Sequence, residues 1–135
     1  MIDIYVDQIM TEEPITVQKS QPISEAGEVM IEAGIKSVVV SDPDGCPVGI
    51  LTSTDVLRMA ADGTAPTATH VGEYMTRDIV TTTPDTAVTE AADRMLENDI
   101  SHLPVVRDGG QLIGIVSTTD VAAYVSGSSN LLQVD

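Results

Sequence analysis

Phenylalanine and tryptophan are missing from this chain, and Tyr5, Tyr74 and Tyr124 bring the aromatic share to only 2%. The core must therefore be built from Val, Ile, Leu, Met and Ala, and a surface of aromatic stacking platforms for RNA is not expected. Positive charge is nearly as scarce: 6 Lys and Arg stand against 21 Asp and Glu, a net charge of −15. Affinity for DNA or RNA rests largely on cations that neutralise phosphates, so nucleic acid is not an expected partner. Cys46 is the single cysteine, which excludes an internal disulfide. Long apolar runs are absent as well; none approaches the ~20 residues that span a bilayer. The opening MIDIYVDQIM has no basic start and carries two Asp, unlike a signal peptide. No Cys–His pair, GxSxG elbow, HExxH or Walker loop occurs, so catalysis is not expected. Together these absences predict a cytoplasmic protein with no membrane partner and no enzymatic activity.

What is present fits a globular chain. Hydrophobic residues make up 42% of 135 positions, enough for one compact domain or two small interlocked halves. The acids are scattered through both halves and form no tail. Two sources fit this surface: an ordinary acidic cytoplasmic protein, or one adapted to concentrated salt, where screening removes self-repulsion. The preferred expectation is a halophilic source.

The chain is one unit written twice. GILTSTDV (49–56) returns as GIVSTTDV (114–121), sixty-five positions later. In the same register Met10-Thr11 falls on Met75-Thr76, Glu25-Ala26 on Glu90-Ala91, Met30 on Met95 and Ile35 on Ile100, with no gap. Such a register marks a tandem duplication. Each unit reads β-α-β-β-α, an α/β (α+β) pattern. The short β-like stretches PITV (14–17) and DIVTT (78–82) precede amphipathic helices in which Ile23, Ala26, Met30 and Val88, Ala91, Met95 recur at helical spacing. Pro22 suits a first helical position, and Gly34 or Asn98–Asp99 a helix end. Two β runs follow in each unit, joined by the hairpin signals Asp42-Pro-Asp-Gly45 and Asp108-Gly-Gly110, and a second helix closes it. The predicted boundaries are 1–63 for the first repeat, 64–70 for a linker, 71–127 for the second repeat and 128–135 for a tail, polar apart from Leu131, Leu132 and Val134. A single sixty-residue unit buries a modest core, so the two are expected to form one pseudo-twofold body.

Met10-Thr11 and Met75-Thr76 at the unit starts, the SHLPVV run, and above all Gly-Ile-x-[Thr/Ser]-x-Thr-Asp in both copies resemble the CBS (cystathionine β-synthase) domain, over roughly Val6 to Val125. The resemblance implies a regulatory module that binds adenosine-containing ligands, AMP, ADP, ATP or S-adenosylmethionine, in clefts between the repeats. It needs no other cofactor and no metal. It assigns ribose binding to Asp55 and Asp120, with Thr52 and Thr54, or Ser117 and Thr119, near ribose or phosphate. It places adenine against Ile50, Ile35, Ile79 and Val80 at one site. At the other, adenine meets Ile115, Ile100, Pro14 and Ile15, with Ser101 alongside. His102, and Lys36 beside its counterpart Ser37, fall where related pairs carry a basic residue near the phosphates. Arg58, Arg77 and Arg107 are further phosphate candidates, with solvated surface cations as the plainer reading; His70 carries no signal.

The physics of the motif agrees, since a carboxylate that accepts both hydroxyls of a ribose diol is a strong, oriented partner. The same aspartates can instead serve as helix N-caps, worth about 1 kcal/mol each, with Thr54 and Thr119 as alternative caps. A triphosphate adds negative charge to a chain already at −15, so AMP or cationic S-adenosylmethionine is expected to be preferred over ATP. A homodimer that docks on an effector protein is the expected assembly. The competing reading is a dimerising interaction module whose clefts are vestigial.

Overall fold

A computed structural model describes residues 4–134, with side-chain surroundings given to residue 127. After a 3-10 turn, Val6–Gln8, the elements in chain order are β1 (Thr11–Glu12), β2 (Thr16–Val17), α1 (Ile23–Ala33), β3 (Ser37–Ser41), β4 (Pro47–Thr52) and α2 (Ser53–Ala61). The second half supplies α3 (Val71–Tyr74), α4 (Val88–Asn98), β5 (His102–Val106), β6 (Leu112–Ser117) and α5 (Thr118–Val134). The chain forms two compact units: residues 14–79 form one, and residues 1–13 with 80–135 form the other.

In the unit of residues 14–79, β2 runs parallel to β3 and β3 antiparallel to β4. Its core joins Ile23, Ala26 and Met30 of α1 to Val38, Val40, Leu51 and Met59, and is completed by Val71 and Met75. In the other unit, β6 is the central strand, flanked by β1 and β5. There Ala91, Met95, Leu103, Val105 and Val116 pack with Val6, and with half-buried Ile9 and Met10. Each core thus contains the opening segment of the other sequence repeat.

The backbone bonds repeat this exchange in register. The Ile23 N–H, left without an intrahelical partner at the start of α1, donates to the Thr69 carbonyl at 2.8 Å, and Val88 at the start of α4 donates to Ile4 at 2.9 Å. Val71 donates to Gln21, and Val6 donates to Thr86, both at 2.9 Å. Residues 64–70, read from the sequence as a linker with little apolar anchorage, are fastened here: Thr69 is buried and its hydroxyl donates to the Ala65 carbonyl at 2.7 Å.

Three local expectations change. Pro22 is the residue before α1, with φ −63° and ψ 146°, and the helix begins at Ile23. DIVTT forms no strand; it contributes one parallel bridge, Thr82 to Val105, where the first repeat pairs both Thr16 and Val17 with β3. The reason lies in β5: Pro104 stands at the position of Val39 and has no N–H to donate, so the ladder loses a rung. The backbone of α5 continues to Val134, while the side chains of Leu131, Leu132 and Val134 lie outside the described residues. The helix ends fall where the sequence suggests, with Gly34 (φ 67°) and Asp99 (φ 52°) left-handed after α1 and α4.

Thr82 breaks the symmetry of the two cores. It is 2% exposed, its hydroxyl has no hydrogen-bond partner among the described residues, and its counterpart in the other unit is the buried Val17. An unsatisfied buried hydroxyl is costly, and valine keeps nearly the same shape. Thr82→Val is therefore expected to raise unfolding free energy by about 1 kcal/mol in a denaturant titration; an unchanged or lower midpoint would contradict the assignment.

Candidate functional site

Both copies of the motif end a strand and start a helix. In β4 and β6 the apolar residues alternate, so Leu51 and Val116 point into their cores while Ile50 and Ile115 are half-buried on the opposite face. Where β4 ends, Thr52 becomes the N-cap of α2 and Asp55 occupies its third helical position. The two residues form a capping box: the Asp55 N–H donates to Thr52 Oγ1 at 3.2 Å, and the Thr52 N–H donates to Asp55 Oδ2 at 2.9 Å. The second copy repeats it: the Asp120 N–H donates to Ser117 Oγ at 3.1 Å and the Ser117 N–H to Asp120 Oδ2 at 2.8 Å. The aspartates are therefore neither N-caps themselves nor free of their helices, and Thr54 and Thr119 are exposed on the first turn without a capping role. Thr52 and Ser117 hold the caps because they are the last extended residues of their strands.

One carboxylate oxygen of each aspartate is committed in this way, and the other differs between copies. Asp55 Oδ1 accepts from the Arg58 guanidinium at 3.1 Å, and Asp55 is only 4% exposed. Asp120 is half-buried, and among the described residues its Oδ1 has no recorded donor. The residue sixty-five positions after Arg58 is Ala123, so nothing equivalent reaches Asp120.

The start of the preceding strand lies beside each junction. Ser53 N–H donates to the Lys36 carbonyl at 2.9 Å, and Thr118 N–H donates to Ser101 at 3.0 Å. Cross-strand pairing sets Ser37 opposite Thr52 and His102 opposite Ser117. His102 is half-buried; its imidazole is held below its ordinary pKa chiefly by desolvation, partly offset by the Asp120 charge.

Residues 14–79 contain Pro14, Ile15, Ile35, Lys36, Ile50, Thr52, Thr54, Asp55 and Ile79. The other unit contains Val80, Ile100, Ser101, His102, Ile115, Ser117, Thr119 and Asp120. Ile35 and Ile15 are exposed, whereas Ile100, Ile79 and Val80 are half-buried. Among the candidate cations, Arg58 is taken by Asp55, Arg77 donates to the Gly72 carbonyl at 2.7 Å, and Arg107 is held by Gln111. The local sequence did not reveal the Arg58 contact, although the three-residue spacing to Asp55 on a helix was a signal for it. Among the described residues, no cluster of three or more His, Cys, Asp or Glu could hold a metal ion, and no helix is long and apolar enough to cross a membrane.

Comparison with known proteins follows the same division into repeats. The sequence model of the CBS domain matches residues 6–62 and 71–127. A 17.7 kDa protein of Acidianus ambivalens is 39% identical over 117 residues, covering 87% of this chain and 70% of that protein. Homoserine O-acetyltransferase of Methanococcoides burtonii is 36% identical over 116 residues, but this chain spans only 23% of its length. Among solved structures, a CBS domain pair in complex with 5′-methylthioadenosine and S-adenosyl-L-methionine superposes with a TM-score of 0.87 at 31% identity, covering 94% of this chain and 99% of that one. A hexameric CBS-CP12 protein from bloom-forming cyanobacteria gives a TM-score of 0.80 at 28% identity, covering 90% of this chain and 68% of that one.

Proposed function

This chain belongs to the CBS domain family, and we propose that it is a regulatory module that binds an adenosine-containing ligand and signals its presence to an effector protein. The observation that carries this reading is the twice-built strand–helix junction. Each copy holds an oriented carboxylate beside hydroxyls and a half-buried isoleucine, and Asp120 retains an oxygen uncommitted among the described residues. A carboxylate so placed suits a ribose diol, and the flanking apolar side chains suit an adenine face. The CBS domain pair that binds 5′-methylthioadenosine and S-adenosyl-L-methionine, 31% identical over nearly the whole chain, supports the ligand class.

Charge narrows the class further. At −15, with Arg58, Arg77 and Arg107 engaged within the protein, the chain favours ligands with little or no phosphate: S-adenosylmethionine, 5′-methylthioadenosine or AMP before ATP. The same surface suits work in concentrated salt. The role proposed for the module is sensing, not catalysis, and it spans only 23% of the length of the acetyltransferase of Methanococcoides burtonii.

The test is a melting curve of the full chain with and without each ligand at millimolar concentration. A ligand that binds only the folded state adds RT ln(1 + [L]/Kd), which is ~2.7 kcal/mol at a hundredfold excess over Kd. No shift with S-adenosylmethionine, 5′-methylthioadenosine, AMP or ATP would sink the reading. It would favour a ligand-free, self-associating interaction module, for which the exposed Ile31 (82%) and Leu96 (79%), equivalent positions on α1 and α4, are the supporting observation.

A further inference from the structure

The two copies of the motif carry the same carboxylate, but the rest of the chain treats them differently. Asp55 gives Oδ2 to its own helix cap and Oδ1 to Arg58, and it is almost fully buried. Asp120 gives Oδ2 to its cap and, among the described residues, meets no donor at Oδ1, with Ala123 where the first repeat has Arg58. A ribose diol donates through two hydroxyls, so its recognition depends on acceptor capacity that remains after the protein's own bonds are made. On Asp55 a ligand must share or displace a guanidinium; on Asp120 it meets an unclaimed oxygen.

The charge of the two units points the same way. Residues 14–79 hold nine acids and four bases, a net −5, whereas residues 1–13 with 80–135 hold twelve acids and two bases, a net −10. Both bases of the second set are engaged: Arg94 with Thr81 and Glu90, at 2.8 and 3.3 Å, and Arg107 with Gln111. The Asp120 carboxylate therefore stands without a local guanidinium, and an adenosyl ligand that brings hydroxyl donors and no phosphate is matched to it.

We infer that Arg58 is the residue that sets site occupancy: it holds the Asp55 carboxylate in an internal ion pair, so that Asp120 is the working ribose acceptor and the Asp55 copy is closed until Arg58 is moved. This rests on the proposed adenosyl-binding function and adds to it which copy binds and what closes the other. Arg58 acts through Asp55, and its own side chain, 61% exposed, has room to swing away.

Calorimetric titration of the full-length chain with 5′-methylthioadenosine tests the assignment. Binding is expected at one site per chain. Asp120→Asn, which keeps an oxygen for the cap but loses the charge, is expected to weaken it by about tenfold or more, in line with a lost charge-assisted hydrogen bond. Asp55→Asn is expected to weaken it several-fold less than Asp120→Asn does. Arg58→Ala, with Arg58→Gln as a second variant, is expected to raise the stoichiometry from one to two, and adding Asp55→Asn to Arg58→Ala should return it to one. Melting of each variant without ligand verifies folding. Two equal sites in the unaltered chain, binding lost in Asp55→Asn but kept in Asp120→Asn, or an Arg58→Ala variant still limited to one site would overturn the inference while leaving adenosyl binding intact. No binding to the unaltered chain or to Arg58→Ala would overturn the functional reading itself.

Discussion

A fragment of residues 1–63, the first sequence repeat alone, is expected to stay unfolded, while a fragment of residues 14–79 is expected to unfold cooperatively. The first fragment ends before Val71 and Met75, which complete the core around Leu51 and Met59. It also lacks the Thr69 carbonyl that accepts from Ile23 at the start of α1, and Thr76, which exchanges two backbone bonds with Ile50 at 3.1 and 2.8 Å. It carries Val6, Ile9 and Met10 with none of the second-repeat residues they pack against. Losing two buried side chains of this size costs several kcal/mol, comparable with the whole stability of a unit this small. The fragment 14–79 keeps every buried residue of its core. Far-ultraviolet circular dichroism through a urea titration distinguishes the two; a sigmoidal transition in 1–63 as strong as that in 14–79 would refute the exchanged packing.

Gly49→Ala and Gly114→Ala are each expected to destabilise the chain by about 1–3 kcal/mol, the usual range for overpacking. A methyl group at Gly49 would sit 2.6 Å from Met75 Sδ and 2.9 Å from the Thr76 carbonyl oxygen. At Gly114 the distances are 2.5 Å to Met10 Sδ and 3.0 Å to the Thr11 oxygen. A methionine tip can move aside, but the Thr76 backbone is pinned by both its bonds to Ile50, so the strain cannot all be relieved by a rotamer change. Gly27→Ala in α1 is the control: its added methyl meets nothing within 4 Å, and alanine is the better helix former, so stability should hold or rise slightly. Denaturant midpoints for the three variants test this, and a Gly49→Ala protein as stable as Gly27→Ala would show that the close approach is not needed.

The exchanged cores and the close approaches at the glycines explain why the sequence repeats what it repeats. Met10-Thr11 and Met75-Thr76 are legible as unit starts, and the glycines as motif positions, but their connection is not. Each Met-Thr pair is the segment that covers the glycine of the other repeat's second β run. The motif aspartates were equally visible and equally underdetermined. Spacing admits both a cap and a ribose acceptor, and the fold shows one oxygen committed to a capping box in each copy. The DIVTT stretch reads as a strand because Ile79, Val80 and Thr81 favour one, and it fails because its partner strand offers Pro104 instead of a donor.

The sequence by itself determined the duplication, the helix–hairpin–helix order that both copies share, and the helix ends at Gly34 and Asp99. It also dictated a core of small aliphatic side chains, since these are matters of local pattern, chirality and composition. Only the tertiary structure decided that residues 4–12 and 69–76 pack with the opposite repeat. The two copies carry the same local signals, so nothing within either says which core will receive Val6 or Val71. It also decided that Arg58 bonds Asp55 while Asp120 has an oxygen with no donor among the described residues. That difference depends on where a flexible guanidinium comes to rest, and a repeat pattern does not encode it.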